Sequence, residues 1–254
     1  MKVAPRKSLG QHFLVDENIL GVIERLAALD PADVVLEIGP GLGVLTRFLA
    51  ERVAHVHAAE VDRRLEPHLT GIPRTDVHWG DALRLDVTAL EPPPRKLVAN
   101  LPYNIATPLI AESLDRLPGI ELWTVMVQRE VADRFFAKPS TKSYGAVSVL
   151  VQLVAKRTGF HPVSPAVFRP RPNVDSALVA FRRTGLPDDF RRIKRVVEGS
   201  FAHRRKRLAN SLELAGVAAR GPAEEAIALI GKAPNVRAEE LAPHEFLALA
   251  EALK

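Results

Sequence analysis

Val34-Val35-Leu36-Glu37-Ile38-Gly39-Pro40-Gly41-Leu42-Gly43 is the stretch on which the reading of the fold turns. A run of mostly apolar, β-branched residues ends in a glycine turn, and Val44, Leu45, Phe48 and Leu49 follow at helical spacing. Strand, glycine turn and helix in that order make the first half of a βαβ unit. The glycines let backbone approach a ligand closely. The pattern is G-x-G-x-G. A dinucleotide fingerprint, G-x-G-x-x-G, would put glycine at position 44, where this chain has Val44. Pro40 also removes an N–H donor from the turn. Both features disfavour a pyrophosphate ligand, and with it a dehydrogenase. They favour a ligand without phosphates, such as the methionine–adenosine body of S-adenosylmethionine.

Working outward, the same alternation repeats. His55 to Ala59 reads as a second strand ending in Glu60, and Val77 to Trp79 as a third ending in Gly80-Asp81-Ala82. The rigid Pro92-Pro93-Pro94 precedes a fourth, Leu97 to Ala99, and Leu122 to Val127 is a fifth. Strands that alternate with helical segments predict an α/β fold with a parallel sheet. Val147 to Val154 and Ala177 to Phe181 are further strand candidates. Upstream, Asp16 is a candidate N-cap for a helix reaching Leu29, and residues 1 to 15 form a short basic arm. The proline-rich stretch His161 to Pro172 reads as a stiff extended loop that exposes Phe168. Gly185-Leu186-Pro187 marks a boundary, beyond which only helices are expected.

Composition narrows the classes. The chain has 254 residues, 47% hydrophobic and 26% charged, which is ordinary for a globular protein of one large domain plus an appendage. It has no cysteine, which excludes disulfides, thiol nucleophiles and thiolate metal sites. The eight histidines are scattered along the sequence, so no metal site is expected. No apolar run approaches the roughly 20 residues that span a bilayer, and the N-terminus lacks the apolar core of a secretory signal. The net charge of +5 is concentrated late, in Arg191-Arg192-Ile193-Lys194-Arg195 and Arg204-Arg205-Lys206-Arg207. Read as part of a helix, the second run circles its axis, with some side chains along the apolar seam. Such a cluster suits a polyanion, with salt-sensitive phosphate contacts.

The chemistry lies at the strand ends, where open α/β sheets bind ligands. Glu60 is placed to take ribose hydroxyls, and Asp81 to accept from an exocyclic amine. After the fourth strand comes Asn100-Leu101-Pro102-Tyr103. The Asn100 side-chain oxygen and the Leu101 carbonyl would accept the two N–H hydrogens of an aromatic amine. That pulls its lone pair out of conjugation and aims it at a methyl donor. Pro102 stiffens the turn, and Tyr103 offers a face for base stacking. Catalysis by positioning and electrostatics suffices, without a dedicated base.

These residues carry a resemblance. Gly10-Gln11-His12-Phe13-Leu14, Glu37 to Gly43, Gly80 to Ala82, Asn100 to Pro108, Gln128 to Ala132, Val167 to Ser176 and Phe201 to Leu208 together resemble the ribosomal RNA adenine N6-dimethyltransferase family. The likeness runs nearly end to end and is closest to the branch that acts on the small ribosomal subunit. It implies a Rossmann-like, S-adenosylmethionine-dependent methyltransferase sheet with the N-terminal arm over residues 1–184, and a small helical RNA-binding domain over 185–254. It implies dimethylation of two adjacent adenines near the 3′ end of small-subunit rRNA, coupled to subunit assembly. It implies cofactor contacts from His12, Leu14, Gly39, Gly41, Gly43, Glu60, Asp81, Ala82 and Asn100. Asn100, Leu101, Pro102, Tyr103 and Phe168 would hold the target, with the adenine sandwiched between Tyr103 and Phe168. Arg204, Arg205, Lys206 and Arg207 would contact RNA. The family's arm usually reads Gln-Asn-Phe-Leu; His12 replaces that asparagine, so its contact depends on tautomer and pH. The large-subunit branch usually has isoleucine at the position of Leu101, and DNA adenine methyltransferases more often carry Asp-Pro-Pro-Tyr. A non-catalytic assembly or transcription factor on this fold would not need the intact Asn100–Tyr103 tetrad. With the first motif starting at Gly10, a cytoplasmic bacterial protein, monomeric and not membrane-bound, is expected.

Overall fold

The computed structural model describes residues 6, 11–86 and 89–254. Gly10, the start of the first motif, and most of the arm before it lie outside the described residues. The chain forms two compact units. One comprises residues 1–132 and 156–183; the other comprises 133–155 and 184–254. Segment 133–155, which a linear division after residue 184 gives to the sheet, thus groups with the C-terminal helices.

The first unit is built on a seven-stranded sheet. Its strands are β2 (Val34–Ile38), β3 (His55–Glu60), β4 (Thr75–Trp79), β5 (Lys96–Asn100), β6 (Leu122–Gln128), β7 (Ala155–Val163) and β9 (Ser176–Arg183), in the order β4-β3-β2-β5-β6-β9-β7. From β4 to β6 every pair is parallel, and β6 pairs antiparallel with β9. A separate two-stranded ladder joins β1 (Phe13–Leu14) to β8 (Phe168–Arg169), with Leu14 opposite Phe168. Helices α1 (Asn18–Ala27), α2 (Val44–Ala50), α3 (Glu66–Leu69) and α4 (Ala106–Arg116) belong to this unit, and α5 (Arg129–Phe135) leaves it. The sheet's chain order reverses between β2 and β5, which is the topological switch point where ligands settle in such folds. Central strands are buried on both faces, so they read as near-continuous apolar runs.

The second unit contains α6 (Ala146–Val154), α7 (Phe190–Ala202), α8 (Leu208–Leu214), α9 (Arg220–Leu229) and α10 (Pro243–Ala252). Residues 147–154, expected as a strand, form α6. Apart from Ser148 and Gln152 the stretch is apolar, and over so few residues such a pattern separates strand from buried helix poorly. Local chemistry settles it: the Ser148 hydroxyl accepts from the Gly145 N–H at 3.1 Å, closing the first turn. The helix is buried on most sides, from Val147 to Val151 and again at Val154. β7 was not anticipated. Its exposed Lys156-Arg157-Thr158 and its Pro162 suit only a sheet edge, and an edge is where it sits. Asp16, expected as the N-cap, lies one residue outside; its carboxylate accepts from the Asn18 N–H at 2.8 Å, while Glu17 holds the cap position.

Arg183, at the end of β9, anchors the helix that follows the Asn100 loop. Its guanidinium donates to the carbonyls of Ile120 at 2.7 Å, Leu117 at 3.0 Å and Leu114 at 3.3 Å, at and just beyond the C-terminus of α4. The residue four beyond Leu114 is Pro118, which has no N–H to offer that carbonyl, whereas Leu117 also accepts from the Ile120 N–H at 3.0 Å; a cation here also matches the helix dipole. Replacing Arg183 by Met keeps an apolar stem but removes these bonds and leaves the Leu114 carbonyl without that donor. Chemical denaturation of Arg183→Met is expected to show a loss of roughly 2 kcal/mol.

Candidate active site

Four neighbouring strands end at one cavity of about 260 Å³. Glu37 comes from β2, Glu60 from β3, Asp81 from the turn after β4, and Asn100 from β5. The glycine turn forms its floor, and the arm from Gln11 to Leu14 borders it. Leu101, Pro102, Tyr103 and Ala82 also line it.

The turn needs glycine for two separate reasons. Gly39, Gly41 and Gly43 all have left-handed φ, +72°, +59° and +74°. A Cβ on Gly41 would lie 3.1 Å from the Phe13 ring, so the arm closes directly over the backbone. A Cβ on Gly43 would meet Arg47 at 3.0 Å and Leu69 at 3.1 Å. Gly43 does not line the cavity; its glycine serves packing on α3, not the approach of a ligand.

Glu60 is buried and tightly held. Oε1 accepts from the Val61 and Asp62 N–H groups, each at 2.9 Å, and Oε2 accepts from the Gly41 N–H at 3.2 Å. Burial raises its pKa, opposed by those three N–H donors. Asp81 is more exposed; one oxygen accepts from the Leu83 N–H at 3.0 Å, and Arg84 stands 3.8 Å from the other.

Asn100 is oriented by the arm. Its Nδ2 donates to the His12 main-chain carbonyl at 3.1 Å, which leaves Oδ1 as the acceptor for a ligand. The Leu101 N–H donates to the Met126 carbonyl at 3.0 Å, so the peptide after β5 is pinned to β6. The His12 ring stacks on Tyr103 with centroids 5.2 Å apart. Its Nδ1–H donates to the Pro170 carbonyl at 2.8 Å, which leaves Nε2 facing away from that bond. Tyr103 hydroxyl pairs with Ser176 at 2.5 Å, and burial pushes its pKa up.

Phe168 departs from expectation. It is 1% exposed and belongs to the same core cluster as Phe13, Leu14 and Ile23, because its segment pairs with the arm as β8 instead of standing free. The structure does not bring it into the cavity. The basic run also differs. Residues 204–207 are not helical: α7 ends at Ala202, the His203 N–H donates to Ser211 at 3.1 Å, and α8 starts at Leu208. All four side chains are exposed, with none in an apolar seam. Arg204 is committed, donating to Glu239 at 2.9 Å and the Lys142 carbonyl at 3.0 Å. In the earlier run Lys194 is buried, and Arg195 donates to the Gly216 carbonyl at 2.9 Å.

Two residues at the site had been given no role. Gln11 donates to Asp62 at 3.0 Å, and Asp62 also takes Arg64 Nη2 at 2.6 Å and Nε at 2.9 Å. The Arg64 guanidinium, foremost, holds the Asp62 carboxyl well below the usual range. Glu37 is the other. It is 1% exposed, and among the described residues its Oε2 has no hydrogen-bond partner. Burial, with the neighbouring Glu60 adding to it, pushes its pKa up to about 8 against the weaker pull of Thr46 and Arg47. A carboxylate inside an otherwise apolar strand was the available signal.

The whole chain from residue 3 to residue 254 matches the model of the ribosomal RNA adenine dimethylase family. It belongs to that family. Among its relatives, ribosomal RNA small subunit methyltransferase A of Rubrobacter xylanophilus is 49% identical, covering 96% of this chain and 94% of the relative. The protein of that name from Geobacter metallireducens is 41% identical over 99% and 96% of the two chains. Among solved structures, a dimethyladenosine transferase from Plasmodium falciparum aligns with a TM-score of 0.75 at 25% identity, over 94% of this chain and 96% of that one. The 23S rRNA methyltransferase ErmE aligns at 0.62 and 30% identity, over 95% and 99%. The Rossmann-like methyltransferase sheet is therefore that of the dimethylase family.

The buried Glu37 carries a sign-definite pH effect. Its folded pKa lies above its unfolded value, so between about pH 4.5 and 8 the unfolded chain releases a proton that the folded chain keeps. Stability falls across that window. Glu37→Gln is expected to raise the thermal midpoint of the ligand-free protein. The gain should be small at pH 5, grow to the equivalent of a few kcal/mol towards pH 8, and then level off. A gain independent of pH would place the cost elsewhere.

Proposed function

We propose that this dimethylase transfers two methyl groups to N6 of each of two adjacent adenines near the 3′ end of small-subunit rRNA, using S-adenosylmethionine, during subunit assembly in the cytoplasm. The observation that carries the reading is the fixed amide of Asn100. With Nδ2 spent on the His12 carbonyl, Oδ1 is the atom left to accept from an exocyclic amine. The names of the relatives at 41–49% identity favour the small-subunit substrate.

The residues present suit the cofactor. Glu37 Oε2 is buried beside the cavity without a partner, an arrangement that a cationic ligand would relieve. When bound, S-adenosylmethionine supplies an electrophilic methyl on a positively charged sulfur. Glu60 would take ribose hydroxyls and Asp81 the adenine amine, with His12, Leu14, Gly39, Gly41 and Ala82 along the wall. Asn100 Oδ1 and the Leu101 carbonyl would accept the two N–H hydrogens of the target. That bends the nitrogen towards tetrahedral geometry and frees its lone pair. Pro102 sets the turn, and Tyr103 supplies the stacking ring, with His12 already against it. The alkylated nitrogen is cationic and loses its proton to water. Arg205, Lys206 and Arg207, exposed on one turn of the helical unit, would meet RNA phosphates, while Arg204 braces that turn. The reading needs one chain per site.

Tritiated methyl transfer tests it, with undermethylated small-subunit particles, naked large-subunit rRNA and duplex DNA as substrates. Label should appear as N6,N6-dimethyladenosine from small-subunit particles alone, and Asn100→Ala should cut the rate by at least about a hundredfold. Label on large-subunit RNA, or tight particle binding with no label, would overturn the reading. In the same system, replacing Arg205, Lys206 and Arg207 by Ala should flatten the slope of log affinity against log salt by about 2.

A further inference from the structure

We propose that the outer face of β3 and β4 is a binding site for a divalent transition-metal ion of the zinc type, ligated by His55, His57 and Asp76 with His78 as fourth donor. Residues two apart on a strand share a face, so His55 and His57 of β3 stand together. The register places Asp76 of β4 opposite His57, and His78 two residues on. Three residues that look scattered in sequence thus converge, and His78 stands against one of them, His57. Ligand atoms of His55, His57 and Asp76 all lie within 4.8 Å of one another.

The donors already stand in pairs. His55 Nε2 is 3.1 Å from Asp76 Oδ2, and His57 Nδ1 is 3.1 Å from His78 Nε2. Around a tetrahedral zinc ion with bonds near 2.0–2.2 Å, donor atoms stand about 3.3 Å apart. Each pair therefore has the spacing of two ligands, and the pairs need only close on each other. Asp76 is exposed, with room to rotate.

The far side of the His57 ring is already held. His57 is 1% exposed, and its Nε2–H donates to the Pro92 carbonyl at 2.8 Å. A carbonyl can only accept, so Nδ1 carries the lone pair and faces His78. An imidazole whose far N–H is held by a carbonyl is the usual arrangement of a metal-bound histidine. Binding needs no redox step. In the free protein the Nε2–H of His55 donates to Asp76 and that of His78 to His57; on binding each of these rings carries its proton on Nδ1 instead and offers Nε2 to the ion, and the aspartate offsets one charge. A three-nitrogen, one-oxygen set without thiolate suits zinc, cobalt or nickel rather than magnesium or calcium.

None of the four residues lines the cavity, so the site is separate from the methyl-transfer chemistry. It would tie together the two strands that deliver Glu60 and Asp81.

The test uses the full chain, untagged and stripped with a chelator. Cobalt(II) is titrated in while its visible absorption is followed, and zinc is then added as competitor. One ion per chain, with the intense bands of tetrahedral cobalt that zinc abolishes, is expected. His55→Ala and Asp76→Asn, both at partly or fully exposed positions, should each weaken binding by more than about tenfold while leaving the circular dichroism spectrum unchanged. No saturable binding up to millimolar metal, or the same affinity in both variants, would overturn the proposal.

Discussion

One hydrogen bond holds the site together: the Asn100 side chain donates to the His12 main-chain carbonyl across 88 positions of sequence. It joins the end of a central strand to the arm that closes the cavity, and it decides which atom of the amide remains to accept. The arm in turn is held by the Leu14–Phe168 ladder, by Gln11 on Asp62, and by Phe13 against Gly41. Arm, glycine turn and the Asn100 loop therefore form one constrained body. A hydrogen-bond acceptor is useful for catalysis only when its orientation is settled before the substrate arrives.

The site also stores an unfavourable state. Glu37 and Glu60, both buried, face one cavity, and the protein answers them differently. Glu60 receives three backbone donors, whereas Glu37 Oε2 receives none. The first arrangement pre-forms an acceptor for neutral hydroxyls. The second favours a ligand that brings positive charge. The difference follows from position: Glu60 ends its strand and precedes a turn that offers free N–H groups, whereas Glu37 lies within β2, whose backbone is paired in the sheet.

The parallel sheet was legible because each central strand is a short apolar run ending in a polar or glycine signal, and those same signals mark the site. Legibility failed where local pattern and tertiary setting disagree. Residues 147–154 are apolar but for Ser148 and Gln152, so the helix is revealed by the cap at Gly145 and Ser148 and by the helical spacing of those two polar residues. Arg204 to Arg207 read as helix because no glycine or proline interrupts them; the break comes from tertiary bonds of His203 and Arg204. Phe168 sits among prolines that suggest exposure, yet pairing with residues more than 150 positions earlier buries it. The histidines of β3 and β4 look unrelated until strand register sets them side by side.

The most direct measurement is isothermal titration of S-adenosylmethionine into the RNA-free protein. The account expects saturable binding at one site per chain, weakened at least about tenfold in Glu60→Ala through loss of its hydrogen bonds to the ligand. No saturable binding, or an affinity unchanged in that variant, would contradict the claim that these strand ends form the cofactor site.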